Sequence, residues 1–290
     1  MKKIMKWLYA AAVGLFQSVV SVFSVILFSS FKTNKYFNRI SKTIDKNEVC
    51  FILANGPSLI NFLNKGQYPS KGMFAVNHFA TSPFFQIVKP DNYIVVDQGM
   101  CGRAKPEEIS DVDKTYSIIN SVSWKMNMFF PSDVYPEIVS KVSGNPNINI
   151  VLFNRTPVEG YKGLRHLLYK LNLGMPQPQN VTNAAIFCAI NSGYKCIYLL
   201  GMEHSWTIDL RVNNNNQVCY YEDHFYDNKT MRVVPDTDIT SILLAIARGF
   251  KSHLQLNEYA ISKGCEIFNL TEESLIDAYQ RKSIKEVTIK

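Results

Sequence analysis

The chain has 290 residues, of which 47% are hydrophobic and 19% charged, a composition that excludes disordered, collagen-like and coiled-coil proteins. Its formal charge of +7 belongs to one end, because residues 1–46 carry eight lysines or arginines and one aspartate, whereas residues 47–290 carry no net charge. The main part of the chain is therefore not expected to bind nucleic acid through a basic surface.

The first predicted element is a long apolar helix. Trp7–Phe31 comprises 25 residues without a formal charge, between Lys6 and Lys32. At 1.5 Å per residue, such a helix is long enough to cross a hydrocarbon core of about 30 Å. Trp7 and Tyr9 lie at one end, where amphipathic rings favour the membrane interface. No cleavage site follows the apolar run, so a membrane anchor is favoured over a signal peptide.

A polar stripe within this run favours a second placement, in which the helix lies in the interface. The stripe recurs at helical spacing and comprises Gln17, Ser18, Ser21 and Ser24. Both placements remain open at this point, with spanning preferred. We therefore predict that residues 1–46 form a membrane anchor with a basic linker that attracts anionic headgroups.

The cysteines indicate a reducing compartment. The chain has six cysteines and no C-x-x-C pair, and most of them lie in or beside apolar runs. Free, buried thiols are therefore predicted. Four N-x-[ST] sequons, at residues 154, 180, 228 and 269, keep a lumenal enzyme as a less favoured alternative.

Residues 47–290 alternate between strand-like and helix-like patterns. The predicted strands are Val49–Ala54, Met73–Asn77, Tyr93–Asp97, Tyr116–Asn120, Ile148–Phe153, Cys196–Leu200 and Glu266–Leu270. The predicted helices are Tyr161–Leu171, Thr182–Ser192, Ile239–Lys263 and Glu272–Tyr279. This alternation predicts a three-layer α/β domain of the Rossmann-like kind, with a mainly parallel sheet. The polar, aromatic stretch at about 203–236 is too long for an ordinary connection and is predicted to be a lid.

Polar residues follow four of the predicted strands. They are Asn55-Gly56-Pro57-Ser58, Asn77-His78, Asp97-Gln98-Gly99 and Gly201-Met202-Glu203-His204. Open parallel sheets bind ligands beyond the carboxyl ends of their strands, so these groups are expected around one site. Gly56 permits close approach of a ligand to the backbone and Pro57 suits the first turn of a helix, whose N–H groups would favour a phosphate.

A histidine among carboxylates suggests a general base within the lid. His224 has Asp223 and Asp227 as close neighbours, and either Glu203 or Asp227 could orient its ring. The same carboxylates with His204 could bind a metal, but their spacing does not match a helical zinc site and no metal is predicted. His166 and His253 fall in helical patterns and are predicted to be packing or surface residues.

Four segments together resemble a known family. They are Phe51–Leu59, Val76–Phe79, Val181–Gly201 with its G-Y-K-x-I-Y-L run, and Asp236–Ile239. In this order they resemble the bacterial CMP-sialic acid-dependent sialyltransferases of glycosyltransferase family forty-two. The turn Asn55-Gly56-Pro57-Ser58 within the first segment also resembles the corresponding turn of the MptE-like group, which is similar to 6-hydroxymethylpterin diphosphokinases.

The resemblance implies a GT-A-like variant of the Rossmann-like fold and a nucleotide-sugar donor. It implies that Asn55, Gly56 and Ser58 hold the nucleotide phosphate and ribose and that Asn77 contacts the donor. The binding residues expected beyond these are Pro57, Asp97, Thr182, Asn183, His204, Tyr221 and Tyr226. Two positions depart from the family's pattern, because Asp97 replaces an asparagine and Val233 aligns with the catalytic histidine.

Three functions follow, in order of preference. The first is a membrane-associated glycosyltransferase at the bacterial inner membrane, with a cytoplasmic catalytic domain. It would use a CMP-nonulosonate donor and a surface-glycan or lipid-linked acceptor, need no metal and bind no nucleic acid. Its catalytic residues would be His224, Glu203 and Asp227. The second is an MptE-like diphosphokinase that uses ATP and Mg²⁺, with Asp97 and Glu203 as metal ligands. The third is a catalytically inactive, membrane-tethered assembly protein.

Overall fold

The computed structural model describes residues 2–44, 48–222, 225 and 230–287. Its strands are β1 (Val49–Leu53), β2 (Met73–Val76), β3 (Asn92–Ile94), β4 (Met126–Pro131), β5 (Ile148–Phe153), β6 (Cys196–Leu200), β7 (Arg211–Val212), β8 (Val218–Glu222), β9 (Thr230–Val233), β10 (Glu266–Asn269) and β11 (Gln280–Arg281). Its α-helices are α1 (Lys2–Phe28), α2 (Asn34–Ile40), α3 (Leu59–Leu63), α4 (Phe85–Val88), α5 (Ile109–Asn120), α6 (Pro136–Ser143), α7 (Lys162–Lys170), α8 (Val181–Ser192) and α9 (Ile239–Ser262).

Eight of the strands form one sheet in the order β11-β10-β6-β1-β2-β3-β4-β5, and all the strand pairs described in it are parallel. The chain runs outward from β1 to β5 and then returns to place β6 on the other side of β1. The predicted α/β class with a mainly parallel sheet is therefore confirmed, and the architecture is consistent with a Rossmann-like fold.

Helices cover both faces of this sheet, giving three layers. Alternate residues of β1 face opposite ways: Cys50 and Ile52 pack into one core, and Phe51 and Leu53 into the other. The first core also contains buried residues of α1, α2, α7, α8 and α9, and the second those of α3, α4, α5 and α6. The hydrophobic β1 run is thus buried on both faces, as a central parallel strand requires.

Most predicted elements are confirmed, but the strand predicted at Tyr116–Asn120 is wrong. Those residues end α5, whose buried positions Val112, Thr115, Tyr116 and Ile119 have helical spacing. The short β-branched run was misleading because the helical period begins upstream of it. Sequence patterns also missed β4, and they made β3 longer than the observed Asn92–Ile94.

The helix predicted at Glu272–Tyr279 is also wrong. This segment forms turns, and two of its polar groups bind the loop after β6. Ser274 Oγ donates to Met202 O at 2.6 Å, and the Leu275 N–H donates to Glu203 O at 2.9 Å. Tertiary hydrogen bonds therefore replace those that a helix would form.

The predicted lid contains a small sheet of its own. Strands β7, β8 and β9 pair antiparallel within the 203–236 stretch. The cysteines match the prediction of free thiols, since all six are unpaired and Cys196 alone among them is only half-buried.

Helix α1 is docked on the domain by a cluster of hydrogen bonds around Asn154, which follows β5. Lys3–Phe28 is long and apolar enough to cross a membrane by length and composition, with a mean hydropathy of 2.2 over its most apolar 18 residues. Just beyond the end of α1, the buried side chain of Asn154 accepts a hydrogen bond from the Ser30 N–H. It donates to Ser30 O, Thr33 Oγ1 and Asn172 O. The domain boundary expected near residue 46 stays a prediction, although Phe37 before it is buried in the core.

We predict that Asn154→Ala destabilises the protein by about 2–4 kcal/mol, because several buried partners each lose a hydrogen bond worth about 1 kcal/mol. The measurement is urea unfolding of the full chain. Asn215→Ala, in an exposed loop, is the matched control and should change the unfolding free energy by less than about 0.5 kcal/mol. Equal stability of both variants would show that the hydrogen bonds of Asn154 do not hold α1 on the domain.

Candidate functional site

A cavity of about 460 Å³ lies at the carboxyl ends of β1, β2, β3 and β6. This is the point where strand order reverses, which is where open α/β sheets bind ligands. The structure brings together eight of the predicted site residues around it: Asn55, Gly56, Pro57, Asn77, Asp97, Thr182, Glu203 and His204. A wider cavity of about 750 Å³ lies at the opposite edge, before the amino ends of β1 to β5.

Other predicted residues lie elsewhere or cannot be placed. Ser58 and Asn183 are next to lining residues but are not among them, and Tyr221 lies on β8 with 37% of its surface exposed. The predicted base and its neighbours, His224, Tyr226 and Asp227, lie outside the described residues. Phe225 is described, and its N–H donates to Asn55 O at 3.1 Å, so the lid chain reaches the turn after β1.

A carboxylate occupies the turn that the sequence assigned to a phosphate. The Ser58 N–H donates to Glu203 Oε1 at 2.8 Å, and the Gly56 N–H donates to Gly201 O at 3.0 Å. A Cβ on Gly56 would lie 1.6 Å from Glu203 Oε2, so only glycine fits here. The N–H groups of this turn attract negative charge as expected, but the charge is supplied by the protein itself.

Two amides and a second carboxylate form the adjoining wall. Asn55 Oδ1 is buried and accepts no hydrogen bond from the described residues, which makes it a free acceptor for a ligand. Asn77 has a positive φ of 44°, and its Oδ1 accepts from the Val96 N–H at 3.3 Å. Asp97 is exposed, and its Oδ1 accepts from the Met100 N–H at 3.1 Å.

The start of α8 forms the facing wall. Asn180 caps this helix, because its Oδ1 accepts from the Asn183 N–H at 2.9 Å and from Thr182 Oγ1 at 2.6 Å. The N–H groups of Val181 and Thr182 in the first turn form no hydrogen bond within the described residues. Asn183 behind them is fully buried, and neither polar atom of its side chain has a hydrogen-bond partner in the described part of the chain.

Arg155 is the one arginine or lysine among the described residues that line this cavity. It follows β5, and Asp133 binds it in a bidentate ion pair with contacts of 2.9 Å to Nε and 2.7 Å to Nη2. Its Nη1 donates to Val96 O at 3.2 Å. Since Asp133 balances the charge of Arg155, the carboxylates of Asp97 and Glu203 leave the lining with a negative excess.

A chain of hydrogen bonds leads from the cavity wall into the core. His204 Nε2 lies 3.1 Å from Asn180 Nδ2 and 3.0 Å from His253 Nε2, and His253 Nδ1 lies 2.9 Å from Tyr279 Oη. The capping role of Asn180 makes its Nδ2 the donor, so His204 Nε2 is an acceptor. The His253 ring then donates from Nε2 and accepts from Tyr279, so that the single lone pair of His204 Nε2 is shared between two donors and the His204 proton is on Nδ1.

Burial keeps both rings neutral. It lowers the pKa of His204 to about 3, and it lowers the pKa of His253 well below the usual value, an effect that His204 reinforces. A neutral His204 would act as a hydrogen-bond donor through its Nδ1–H, and not as a strong base.

The cavity lining does not by itself supply enough ligands for a divalent cation. Within the described residues, no group of three histidines, cysteines or carboxylates could bind a metal ion. Mg²⁺, however, is commonly held by one or two carboxylates together with substrate phosphates, and Asp97 and Glu203 line the same cavity. They could hold Mg²⁺ only together with a phosphate-bearing ligand.

Sequence reasoning missed three residues of this site. Arg155 follows a correctly predicted strand, and applying the strand-end rule to β5 would have found it. Asn180 precedes a correctly predicted helix, so the preference for asparagine at N-caps was a usable signal. No local signal identifies His253, because 49 residues separate it from its partner His204.

No known protein-family model matches the chain, and no curated protein matches it with significant similarity. The family resemblance of Phe51–Leu59 and the other three segments stays a prediction.

We predict that Gly56→Ala lowers the free energy of unfolding by roughly 1–3 kcal/mol, because the new Cβ displaces the Glu203 carboxylate from the Ser58 N–H. Chemical denaturation measures the loss. Gly144→Ala is the control, since a Cβ there meets no atom within 4 Å. If the two variants were equally stable, the contact between Glu203 and the turn would not constrain the fold.

We predict a pH dependence of stability that comes from the two buried rings. Below about pH 6.5 the unfolded chain binds protons that the folded protein does not, so the free energy of unfolding falls as pH is lowered toward 3. For His204 alone the loss is roughly 2 kcal/mol between pH 8 and pH 5. The difference in stability between wild type and His204→Gln should shrink by that amount over this range. A stability difference that stayed constant from pH 8 to pH 5 would contradict the conclusion that both histidine rings are neutral in the folded protein.

Proposed function

We propose that the protein is a membrane-associated glycosyltransferase at the bacterial inner membrane, with its catalytic domain in the cytoplasm. It transfers a sugar from a nucleotide donor of the CMP-nonulosonate type to a hydroxyl of a surface-glycan or lipid-linked acceptor. One observation carries the proposal: Asn55, Gly56, Asn77 and Thr182, which the family resemblance assigns to the donor, line one cavity at the reversal of strand order.

The donor phosphate is assigned to the start of α8. Two unpaired N–H groups of its first turn and the guanidinium of Arg155 line the cavity, whereas the turn after β1 already holds Glu203. A helix start favours an anion through its N–H groups and dipole, and this preference stabilises the charge on the leaving group. The buried Asn55 Oδ1 can accept a hydrogen bond from the ribose or the sugar.

In the transfer step, an acceptor oxygen forms a bond to the anomeric carbon as the bond from that carbon to the phosphate oxygen breaks. CMP leaves with the electron pair, and the proton of the acceptor hydroxyl passes to a base. We assign the base to His224, and we assign the orientation of its ring to Glu203 or Asp227. The Nδ1–H of neutral His204 is available to a ligand oxygen as a donor.

The second candidate is a diphosphokinase that uses ATP and Mg²⁺. Two carboxylates favour this candidate, because they make the cavity lining acidic. Glu203 binds the turn after β1, and Asp97 lies on the neighbouring wall. A triphosphate is repelled by such a lining unless a divalent cation accompanies it.

Nucleotide binding distinguishes these candidates, and isothermal titration of the purified full chain measures it. We expect CMP to bind without metal and Asn55→Ala to weaken binding at least tenfold, because the alanine removes the free buried acceptor. Asn38→Ala, at an exposed position of α2 outside the cavity lining, is the matched control and should bind CMP like wild type. ATP binding only with Mg²⁺ would favour the diphosphokinase, and no binding of CMP, CDP, UDP or ATP would favour an assembly protein.

Turnover is then tested with a panel of CMP-sugars and the release of CMP as readout. His224→Ala should lower kcat more than tenfold at unchanged CMP affinity, since the base acts on the acceptor and not on the nucleotide. Activity within tenfold of wild type would remove His224 from the catalytic role.

A further inference from the structure

One face of α1 is apolar and exposed. Its centre is formed by Tyr9, Phe16, Val20, Phe23 and Leu27, which share a face at 3.6 residues per turn. Phe16 and Leu27 each expose 70% of their surface, and no described part of the chain covers this face. An apolar surface of this length is unusual on a protein in water and indicates a binding surface.

The opposite face of α1 is docked on the domain. It is formed by small or polar residues, Ala11, Gly14, Ser18, Ser21 and Val25, and its partners are in the segment 158–161. Tyr161 Oη donates to Ala11 O at 2.7 Å, the Tyr161 N–H to Ser18 Oγ at 2.9 Å, and the Glu159 N–H to Ser21 Oγ at 2.8 Å. From Ala11 to Val25 this contact covers roughly 21 Å of the helix axis.

The segment 158–161 carries a charge, so its transfer into hydrocarbon would be energetically unfavourable. The Glu159 carboxylate accepts from Lys251 Nζ at 2.8 Å and from Gln255 Nε2 at 3.0 Å, so it ties α9 to the same place. If α1 crossed a bilayer with these contacts intact, the ion pair, the start of α7 and the middle of α9 would be drawn into the membrane core.

We infer that α1 lies in the plane of the membrane surface, with its outer face in the lipid and its serine face on the domain. The inference rests on the proposed membrane association and is independent of the transfer reaction. Lysines at both ends of the helix are exposed: Lys3, Lys6, Lys32 and Lys35. An in-plane helix places both clusters on one anionic headgroup surface, whereas a spanning helix would separate them across the bilayer.

Binding to vesicles tests the surface. The purified full chain is floated with vesicles of phosphatidylcholine and phosphatidylglycerol at 3:1, and with phosphatidylcholine alone. We expect stronger binding to the anionic vesicles and at least a tenfold loss for Phe16→Glu/Phe23→Glu at an unchanged Tm. Ile87→Glu is the matched control, because Ile87 is 61% exposed on α4 and should not contact lipid.

Labelling of the two helix ends tests the orientation. Lys3→Cys and Lys32→Cys are treated separately with a membrane-impermeant maleimide, in spheroplasts and in inverted vesicles, with wild type as the background control. The in-plane helix predicts that both cysteines react from the same side.

Two outcomes would overturn the inference in distinguishable ways. Reaction of the two cysteines from opposite sides, with vesicle binding retained, would establish a spanning helix and leave membrane association intact. Absence of vesicle binding, together with a dimer that Phe16→Glu/Phe23→Glu dissociates, would assign the face to a second copy of the chain.

Discussion

The pairing of β1 with β6 is the constraint on which the candidate site depends. Five residue pairs in parallel register join these strands, although more than 140 residues separate them along the chain. The Ala54 N–H continues the ladder to Leu200 O at 2.9 Å, so the turn after β1 and the loop after β6 leave the sheet side by side. Glu203 reaches the Ser58 N–H for this reason, and α8, which precedes β6, is carried to the facing wall.

Much of this arrangement could be predicted because it depends on short-range patterns. The apolar run of β1, the glycine after it and the polar residues after β2, β3 and β6 are each visible within about ten residues. The rule that parallel strands present their carboxyl ends together then assembles them. Where two patterns competed, as at Tyr116–Asn120, the longer helical period prevailed over β-branched composition.

The remaining features are long-range and have no local signature. The ring of His253 is on a helix that periodicity describes well, but nothing in that helix indicates a partner on a loop before it. The serine stripe of α1 was visible, yet its partner is the backbone of segment 158–161 and not solvent or headgroups. The turns at Glu272–Tyr279 were misjudged for the same reason, because their hydrogen bonds go to the loop after β6. Sequence identifies groups that need partners, whereas the fold decides which partners they have.

The carboxylate of Glu203 on the turn after β1 makes that turn a competitive site. An anion that binds at this turn must displace a group that is covalently tethered and therefore present at a high effective concentration. Small ions such as inorganic phosphate or sulfate have no further contacts to offset this displacement. A ligand whose phosphate lies at the start of α8, as proposed, leaves the carboxylate in place. The protein's own charge thus closes one anion site at this edge of the sheet and leaves the helix start as the open one.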